Sequence, residues 1–455
     1  MNRVSHEGLS LAAFGICFGC VVIALVFTMV NTAIPSIQSH LNLPVSILQW
    51  MMTAFGLINC ACLVTCGRIA DIFGRKRIFL LGLTSTLIGI SAAGLSNTAF
   101  CLILGMSFAG LGNAILLPVS QAMLVMEFPQ EKRGEAVGIW AGCIGAAMAA
   151  GPVLGGIITQ VFGWRWVFLI NAPVILVSFF LTFFYSRESR NEKDPAKVDV
   201  KGMLYLALTV AAFVLVSTER RHFSSLFLSG LMALGVLSIY RLIKHEKTFS
   251  APIISDQLWK NRVFLSASLA SFCLIFFVWS IFFLLPIFFQ RELGLSPMFS
   301  GLMMLWITLP VAFLSPLIAR FEKYEKTWLM SLSGFLLLAF FVLLQIFFNT
   351  DTPLWKIAVS CLIFGVGYSL IWGPTATAAI SCFPSHQSGI ASGTFVTIQE
   401  LGGTFGLAII ATTFSHYSAL KEGFYRSLWL LLVVSVIGCA LSLVMKTRKR
   451  AVEAS

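Results

Sequence analysis

Runs of apolar residues long enough to cross a lipid bilayer constrain this chain more than any other feature. A membrane-spanning helix needs about 20 mostly apolar residues, because each residue adds only about 1.5 Å to its length. Twelve such runs follow one another, and two shorter ones, about 203–217 and 224–240, lie between the sixth and the seventh. Only 11% of the 455 residues are charged, whereas soluble domains carry about 25%. The sequence therefore predicts an all-α polytopic membrane protein.

The basic residues predict how the chain is oriented in the membrane. If the amino terminus is cytoplasmic and all fourteen runs are spans, 24 of the 31 Lys and Arg residues fall on the cytoplasmic side. Such an excess marks cytoplasmic loops, so both termini are expected inside. The net charge of +12 then reflects orientation, and no nucleic-acid partner is expected. A re-entrant hairpin formed by the two short runs, with Arg220 and Arg221 between them, would leave twelve spans and the same orientation elsewhere.

The chain also contains an internal repeat. The segments "FPQEKRGEAVG" (128–138) and "FPSHQSGIASG" (383–393) share F-P-x4-G-x-A-x-G at an offset of 255 residues. Duplicated six-helix bundles are a transporter architecture, with the substrate site between the bundles near the bilayer midplane. The predicted organisation is a first bundle at 1–186, a linker with two additional helices at 187–262, a second bundle at 263–446 and a basic tail at 447–455.

Two short motifs stand out between and within the runs. The loop "GRIADIFGRKR" (67–77) combines glycines, which permit a tight turn, with Asp71 and Arg75 at the spacing of an i,i+4 ion pair. Its motif residues are Gly67, Arg68, Asp71, Gly74, Arg75 and Lys76. In the fifth run, "GCIGAAMAAGPVLGG" (142–156) places small residues along one helical face, which permits close helix packing. Its motif residues are Gly151, Pro152 and Gly155.

These motifs resemble those of the major facilitator superfamily. The first resembles the family's signature loop, which implies that Asp71 and Arg75 help to hold the cytoplasmic side closed. The second resembles the motif of the family's exporters. Shorter stretches, "VNTAIPSI" (30–37), "LQWMMTAF" (48–55), "WRWVFLINAP" (164–173) and "QELGGTFGLAI" (399–409), are similar to the drug:proton antiporter branch with fourteen spans. The resemblance covers essentially the whole chain and implies two six-helix bundles with two additional central helices.

Two residues depart from that branch. Its members usually carry an aspartate in the first span, where this chain has Val26, and an arginine in the fourth span, where it has Met106. The family's arginine is implicated in proton transfer. These departures argue against the branch's usual arrangement of coupling residues.

One acidic residue, Glu400, lies deep within an apolar run. About ten helical residues on either side place it about 15 Å from both membrane faces. A carboxylate at that depth costs on the order of 3 kcal/mol, and no Lys or Arg lies inside a predicted span to neutralise it. Burial disfavours the ionised form, so a group that binds and releases a proton is one interpretation. The alternative is a permanently protonated side chain that bonds a neighbouring helix.

Further polar and aromatic residues are candidates for a large, weakly polar cavity around this acid. Each of them alone is more often a helix-packing residue than a ligand contact. They are Thr28, Asn31, Phe55, Asn59, Asn113, Gln121, Phe276, Trp279, Tyr368, Trp372 and Gln399. Together with one acid, such a lining favours lipophilic, neutral or cationic compounds.

The sequence thus predicts a secondary active exporter driven by the proton gradient. No ATP-binding loop occurs, and no cofactor, metal or catalytic site is expected, because none of the six histidines lies within a span. The expected partners are a small-molecule substrate, protons and the lipid bilayer, with a periplasmic adaptor protein as a further candidate and a monomer as the expected state. A bacterial inner membrane is the expected location. The alternatives are a specific metabolite or siderophore exporter, a uniporter without the usual proton coupling, and a non-transporting receptor of the same fold.

Overall fold

A computed structural model describes the chain at residues 6–129, 133–190, 199–218, 224–246, 258, 260–321, 324–349, 351–383, 388–417 and 420–446. The described residues form fifteen α-helices and one short 3₁₀ turn. The first seven helices are α1 (His6–Leu41), α2 (Val45–Phe73), α3 (Arg75–Gly94), α4 (Ala99–Glu127), α5 (Arg133–Val161), α6 (Trp164–Leu169) and α7 (Asn171–Tyr185). The remaining helices are α8 (Val200–Thr218), α9 (Ser225–Glu246), α10 (Arg262–Arg291), α11 (Pro297–Phe321), α12 (Thr327–Ile346), α13 (Leu354–Ser381), α14 (Ser388–His416) and α15 (Leu420–Val444).

Twelve of the described helical segments are long and apolar enough to cross a membrane, and α6 and α7 together make one of them. Helix α2 raises the number to thirteen if its two parts, bent by 50° between Leu63 and Thr65, are one span. The apolar part of α8, Val200–Val216, is shorter than these segments. The all-α fold is therefore confirmed, while the count of fourteen spans and the cytoplasmic termini stay predictions.

The helices pack as two groups. In the first, α1 packs on α4, α5 and α7, and α4 packs on α2 and α3. In the second, α10 packs on α13, α14 and α15, and α12 packs on α13 and α15. Close approach depends on small residues in both groups. For example, a side chain at Gly402 or Gly406 of α14 would collide with the backbone of α10 at Phe272 or Phe276.

Two seams join the groups, one between α2 and α14 and the other between α5 and α11. We call the outer end the end at which α1 finishes and α2 starts, which the charge bias predicts to be extracellular. At that end Gln49 of α2 donates hydrogen bonds to the carbonyl of Ala408 (3.0 Å) and to Thr412 Oγ1 (2.9 Å) of α14. In the other seam, the backbone N–H of Met298 donates to Gln160 Oε1 at 3.3 Å. Both seams are therefore closed at the outer end.

The inner part of α5 is not packed in the same way. A side chain added at Gly138, Gly142 or Gly145 would meet no atom within 4 Å, although Gly155 and Gly156 further along the helix are tightly enclosed. The described residues thus form a bundle that is closed at the outer end and open around α5 at the inner end.

Helices α8 and α9 pack on each other as a hairpin. At its base, Asp199 Oδ1 accepts a hydrogen bond from the backbone N–H of Gly202 and lies 2.7 Å from His245 Nε2. Helix α8 also packs against both α2 and α14. Its apolar residues there, Leu206, Val210 and Val214, form a cluster with Leu57 of α2 and with Leu401, Phe405 and Ala408 of α14. The hairpin therefore covers the α2–α14 seam from the side.

Candidate transport site

Glu400 is the point at which the two groups of helices are joined through an acidic side chain. Asn59 Nδ2 of α2 donates a hydrogen bond to Glu400 Oε2 of α14 at 2.8 Å. Asn113 Nδ2 of α4 in turn donates to Asn59 Oδ1 at 3.0 Å. Three residues that the sequence analysis selected separately therefore form one continuous chain of hydrogen bonds from α4 to α14.

Glu400 is only partly buried as a residue. The residue keeps some exposure, whereas Asn59 beside it is fully buried. No ion pair among the described residues includes Glu400. Because an amide carries no charge, Asn59 orients the carboxyl group without fixing its protonation state.

The local sequence of α14 explains why Glu400 faces the other group. Gly402 and Gly406 lie against α10, where a larger side chain would strike the backbone. Glu400 and Thr404 are one helical turn apart and therefore share a different face, which is turned toward α2. Thr404 Oγ1 lies 3.2 Å from Cys60 Sγ of α2, and Thr404 also encloses Gly56. The alternation of glycine and polar residues thus gives α14 one face for its own bundle and one for the seam.

Aromatic rings lie one turn outward from Glu400. The ring of Trp279 in α10 packs 4.5 Å from Phe27 of α1, which in turn lies 6.1 Å from Phe55 of α2. The same tryptophan rests on Gly403 and approaches Gly56. Phe27 was not selected from the sequence, because a phenylalanine in an apolar helix carries no distinguishing signal. These rings separate the level of Glu400 from the outer end.

The other predicted cavity residues divide between the two groups of helices. The second group holds Tyr368, Trp372, Phe276 and Gln399, and the first holds Thr28, Asn31, Asn113 and Gln121. Tyr368 is buried, and its ring lies 5.9 Å from Trp372 on the next turn of α13. Phe276 packs behind Gly406, and Gln399 is buried beside Glu400. In contrast, Thr28 packs against Gly151 within the first group. Asn31 donates to the carbonyl of Phe27 in its own helix, and Gln121 is partly exposed on α4.

The small-residue motif of α5 serves two neighbours at once. Gly151 and Gly155 lie against Thr28, Met29 and Thr32 of α1, where any larger side chain would collide. Gly156 lies against the carbonyl of Pro297 in α11, and the carbonyl of Pro152 lies against Gly301 of α11. The motif therefore fixes α5 to its own group on one face and forms the seam on the other.

The two seams can be compared position by position. Thr308 Oγ1 of α11 donates to the carbonyl of Ala149 in α5 at 3.2 Å, as Cys60 approaches Thr404 in the other seam. Residues 149 and 404 are separated by 255 positions, which is the offset of the repeat. By this offset Gly145 takes the place of Glu400, and it lines one small apolar cavity together with Ile307, Thr308 and Val311 of α11. Among the described residues, the hydrogen-bonded acid and amide thus occur in the α2–α14 seam.

The motif loop at the inner end joins α2 to α3. Asp71 Oδ1 accepts from Arg75 at 2.8 and 2.9 Å, as the i,i+4 spacing predicts. Gly74 has φ +111°, a conformation that favours glycine. Glu188, which follows α7, accepts from the backbone N–H groups of Lys76 and Arg77. It therefore caps the first turn of α3, and its position 112 residues away gives no sequence signal for this role.

The structure also places the remaining motif residues, together with Val26 and Met106, the two residues that depart from the drug:proton antiporter branch. Lys76 Nζ donates to the carbonyls of Phe183 and Ser186, and Gly67 faces Pro118 of α4. Arg68 is half-buried on the last turns of α2. Val26 and Met106 are both buried, so neither position offers an ionisable group to the site.

Comparison with known proteins decides the family. A model of the Major Facilitator Superfamily matches residues 16–407, with a second match over residues 268–451. The chain belongs to this superfamily. It is a multi-pass membrane transporter and not an enzyme, and the family expected from its motifs is confirmed.

Several characterised relatives match nearly the whole chain. Riboflavin transporter RibZ of Clostridioides difficile is 26% identical over 94% of this chain and 95% of its own. Multidrug resistance protein Stp of Mycobacterium tuberculosis is 28% identical over 92% of this chain and 77% of its own. Multidrug export protein EmrB of Haemophilus influenzae is 29% identical over 86% of this chain and 77% of its own.

Solved structures support the fold. A peptide transporter POT in complex with sulfate superposes with a TM-score of 0.71 at 14% identity, covering 98% of this chain and 97% of that one. A bacterial homologue of the lysosomal transporter Spinster, described as inward-facing and unoccupied, gives a TM-score of 0.68 at 16% identity, covering 97% of this chain and 98% of that one.

Proposed function

We propose that this transporter exports small lipophilic or cationic compounds in exchange for protons, and that Glu400 is the group that binds the proton. The observation that carries the proposal is the position of Glu400. Glu400 is a partly buried residue at the level where the tight outer packing ends, and its carboxyl group contacts the opposite bundle through a neutral amide. A proton carrier requires a group that is accessible to one side at a time and that has no fixed counter-ion.

The exchange follows from the two forms of the carboxyl group. With the bundle open at the inner end, Glu400 releases its proton toward the inner side, and the ionised group attracts a cationic or hydrogen-bonding substrate. With the bundle open at the outer end, the substrate leaves and a proton binds. Asp71 and Arg75, already paired in the loop at the inner end, are proposed to help close that end during the outward-open stage.

The lining of the site supports a broad class of substrate. Aromatic rings of α1, α2 and α10 lie one turn outward from the level that contains Glu400 and a few amides, and α13 adds the rings of Tyr368 and Trp372. Aromatic faces bind planar apolar groups and attract cations, while few hydrogen-bonding groups are available to select one compound. Two of the relatives are named as multidrug proteins, which supports the same class.

The test is a proton-exchange assay on purified protein in liposomes. Ethidium serves as the cationic probe and an enclosed pH-sensitive dye reports proton movement. Wild-type protein is expected to move ethidium against its gradient when a pH gradient is imposed, with a matching proton flux. Glu400→Gln is expected to reduce both fluxes to the level of empty liposomes, because glutamine keeps the size of the side chain but cannot bind a proton.

The matched control is Glu292→Gln, which makes the same change at an acid beyond the outer end of α10 and should leave both fluxes unchanged. Ethidium binding by Glu400→Gln distinguishes a loss of coupling from misfolding. Full proton-driven transport by Glu400→Gln would show that the glutamate is structural and that the coupling proposal is wrong. A wild-type protein that moves no ethidium would refute the substrate class.

A second candidate is a specific carrier of a flavin-like metabolite. The observation that favours it is the match to the riboflavin transporter, which is 26% identical over 95% of its own length. A planar, neutral heteroaromatic compound also suits the aromatic lining. Exchange of radiolabelled riboflavin across the same liposomes, unaffected by Glu400→Gln and by the pH gradient, would favour this candidate over proton-driven export.

A further inference from the structure

The hydrogen-bond chain that ends at Glu400 has a direction. In the structure Asn113 donates to Asn59, and Asn59 donates to Glu400. An ionised carboxylate accepts hydrogen bonds and donates none, whereas a protonated carboxyl group has one hydrogen to donate. The ionised form of Glu400 therefore permits only the observed direction, whereas the protonated form also permits the reverse one.

Each amide offers a donor and an acceptor at nearly equivalent positions, so the whole chain can reverse. If Glu400 binds a proton, its hydroxyl can donate to Asn59 Oδ1 after that amide has turned over. Asn59 Nδ2 then points at Asn113, which must also turn and accept through Oδ1. The proton stays on Glu400 throughout, and only the direction of the two hydrogen bonds changes.

The far end of the chain is unsatisfied. Asn113 Oδ1 is buried and has no hydrogen-bond partner among the described residues, and Asn113 as a whole is 8% exposed. A buried acceptor without a partner is costly, so this atom is suited to receive a donor from a bound molecule. Asn113 Oδ1 can accept such a donor only while the hydrogen bonds run in the observed direction, which ionised Glu400 requires. Reversal of the chain puts Nδ2, a donor, at this end of the Asn113 amide.

We propose that Asn59 and Asn113 form a reversible pair of amides that transmits the protonation state of Glu400 to a substrate-binding point at Asn113 Oδ1. The proposal rests on the proposed function and names the substrate class more narrowly, as compounds that carry an amine or hydroxyl donor. Ionised Glu400 and a bound donor favour one direction of the chain, and protonated Glu400 favours the other. Proton and substrate thus exclude each other without competing for the same atom.

Asn59 is a positioning residue in this scheme, because it acts on the substrate only through Asn113. Other titratable groups near Glu400 are Cys60 on α2 and Tyr368 on α13. The faces of α8, α10 and α15 that pack on α14 bring no acidic or basic side chain into contact with Glu400 among the described residues. The direction of the chain therefore depends chiefly on Glu400.

The test is infrared difference spectroscopy of purified protein whose asparagine side chains carry ¹³C. Lowering the pH should produce the carbonyl band of a protonated carboxyl group together with a shift of the labelled amide bands. Both changes should disappear in Glu400→Gln. In Asn113→Leu the carboxyl band should persist while the amide change shrinks to the part that belongs to Asn59.

Asn31→Leu is the matched control. Asn31 also has a buried Oδ1 without a partner, but its Nδ2 is bonded within its own helix, so its removal should leave the difference spectrum unchanged. Labelled amide bands that do not change with pH, or that change equally in Glu400→Gln, would overturn the proposed reversible pair of amides. The wild-type and Glu400→Gln pair decides this even if Asn113→Leu does not fold. A Glu400 that couples protons in liposomes without any amide change would leave the proposed function intact and refute the reversible pair of amides alone.

The substrate half is tested with two cations. Ethidium carries aromatic amines that donate hydrogen bonds, whereas tetraphenylphosphonium carries none. Asn113→Leu should weaken ethidium binding by about tenfold, as the loss of one buried hydrogen bond implies, and should change tetraphenylphosphonium binding by less than about twofold. Equal losses for the two cations, or no ethidium binding by the wild-type protein, would contradict a donor-binding point at Asn113.

Discussion

The two seams between the bundles hold equivalent places in the duplicated fold, yet they are built differently. The α5–α11 seam packs glycines against backbone carbonyls, at Gly156 with Pro297 and at Gly301 with Pro152, and the side chains of Thr308 and Gln160 bond only backbone groups across it. The α2–α14 seam also carries hydrogen bonds between two side chains, from Gln49 to Thr412 and from Asn59 to Glu400. Among the described contacts of the two seams, an acid occurs in the second, and the position equivalent to Glu400 in the first is Gly145.

This difference indicates how a symmetric fold can respond to a proton on one side only. Backbone packing at the α5–α11 seam has no ionisable group, so its strength does not change with protonation. The α2–α14 seam includes a carboxyl group whose hydrogen bond to Asn59 depends on its charge. We therefore expect the α5–α11 seam to provide a constant closing force and the α2–α14 seam to provide the part that the proton gradient controls.

The largest expected effect comes from moving the acid to the other seam. Gly145→Glu combined with Glu400→Gln should still transport at background level, because the cavity that Gly145 lines offers the new carboxylate no amide donor. Gly145→Glu alone should keep proton-driven ethidium transport in liposomes, since a Cβ added at this position meets no atom within 4 Å. Recovery of coupling in the double variant would show that the two seams are interchangeable.

A smaller effect is expected from separating the backbone contacts of the α5–α11 seam. Gly156→Val should destabilise the outer-closed arrangement by about 1–3 kcal/mol, the usual cost of overpacking, because its side chain would strike the carbonyl of Pro297. The distance between spin labels at Ser39 and Glu292, on the outer ends of α1 and α10, should lengthen. Gly142→Val in the open part of the same helix is the control, and an equal lengthening there would refute the packing argument.

The smallest expected effect comes from removing the side-chain hydrogen bonds at the outer ends of the two seams. Gln49→Ala removes two hydrogen bonds across the α2–α14 seam, and Gln160→Ala removes one, more exposed, across the other. At about 1 kcal/mol for each bond, Gln49→Ala should shift the outer-closed population further than Gln160→Ala, by about tenfold at most. The same spin-label distances measure the outer-closed population of both variants. A larger shift in Gln160→Ala than in Gln49→Ala would contradict the expectation that the proton gradient controls the α2–α14 seam.

Much of the site could be predicted from single segments of the sequence. The depth of Glu400 follows from the length of its apolar run, and the Asp71–Arg75 pair follows from helical spacing. The partners of these residues could not be predicted, because Asn59 lies 341 residues from Glu400 and Glu188 lies 112 residues from Lys76. Which faces of two apolar helices meet depends on small differences in packing that composition does not record. The repeat, in contrast, is enough to predict that the two seams differ at this position, because its offset of 255 residues makes Gly145 the equivalent of Glu400.

The hairpin of α8 and α9 also makes the two sides of the molecule different for a compound dissolved in the bilayer. Leu206, Val210 and Val214 stand between the lipid and the α2–α14 seam, so an oily molecule that diffuses within a leaflet meets protein there before it reaches the carboxyl group. The α5–α11 side has no such cover from the described part of the hairpin. We therefore expect lateral entry of membrane-dissolved compounds on the α5–α11 side, and we expect the hairpin to keep lipid chains away from Glu400.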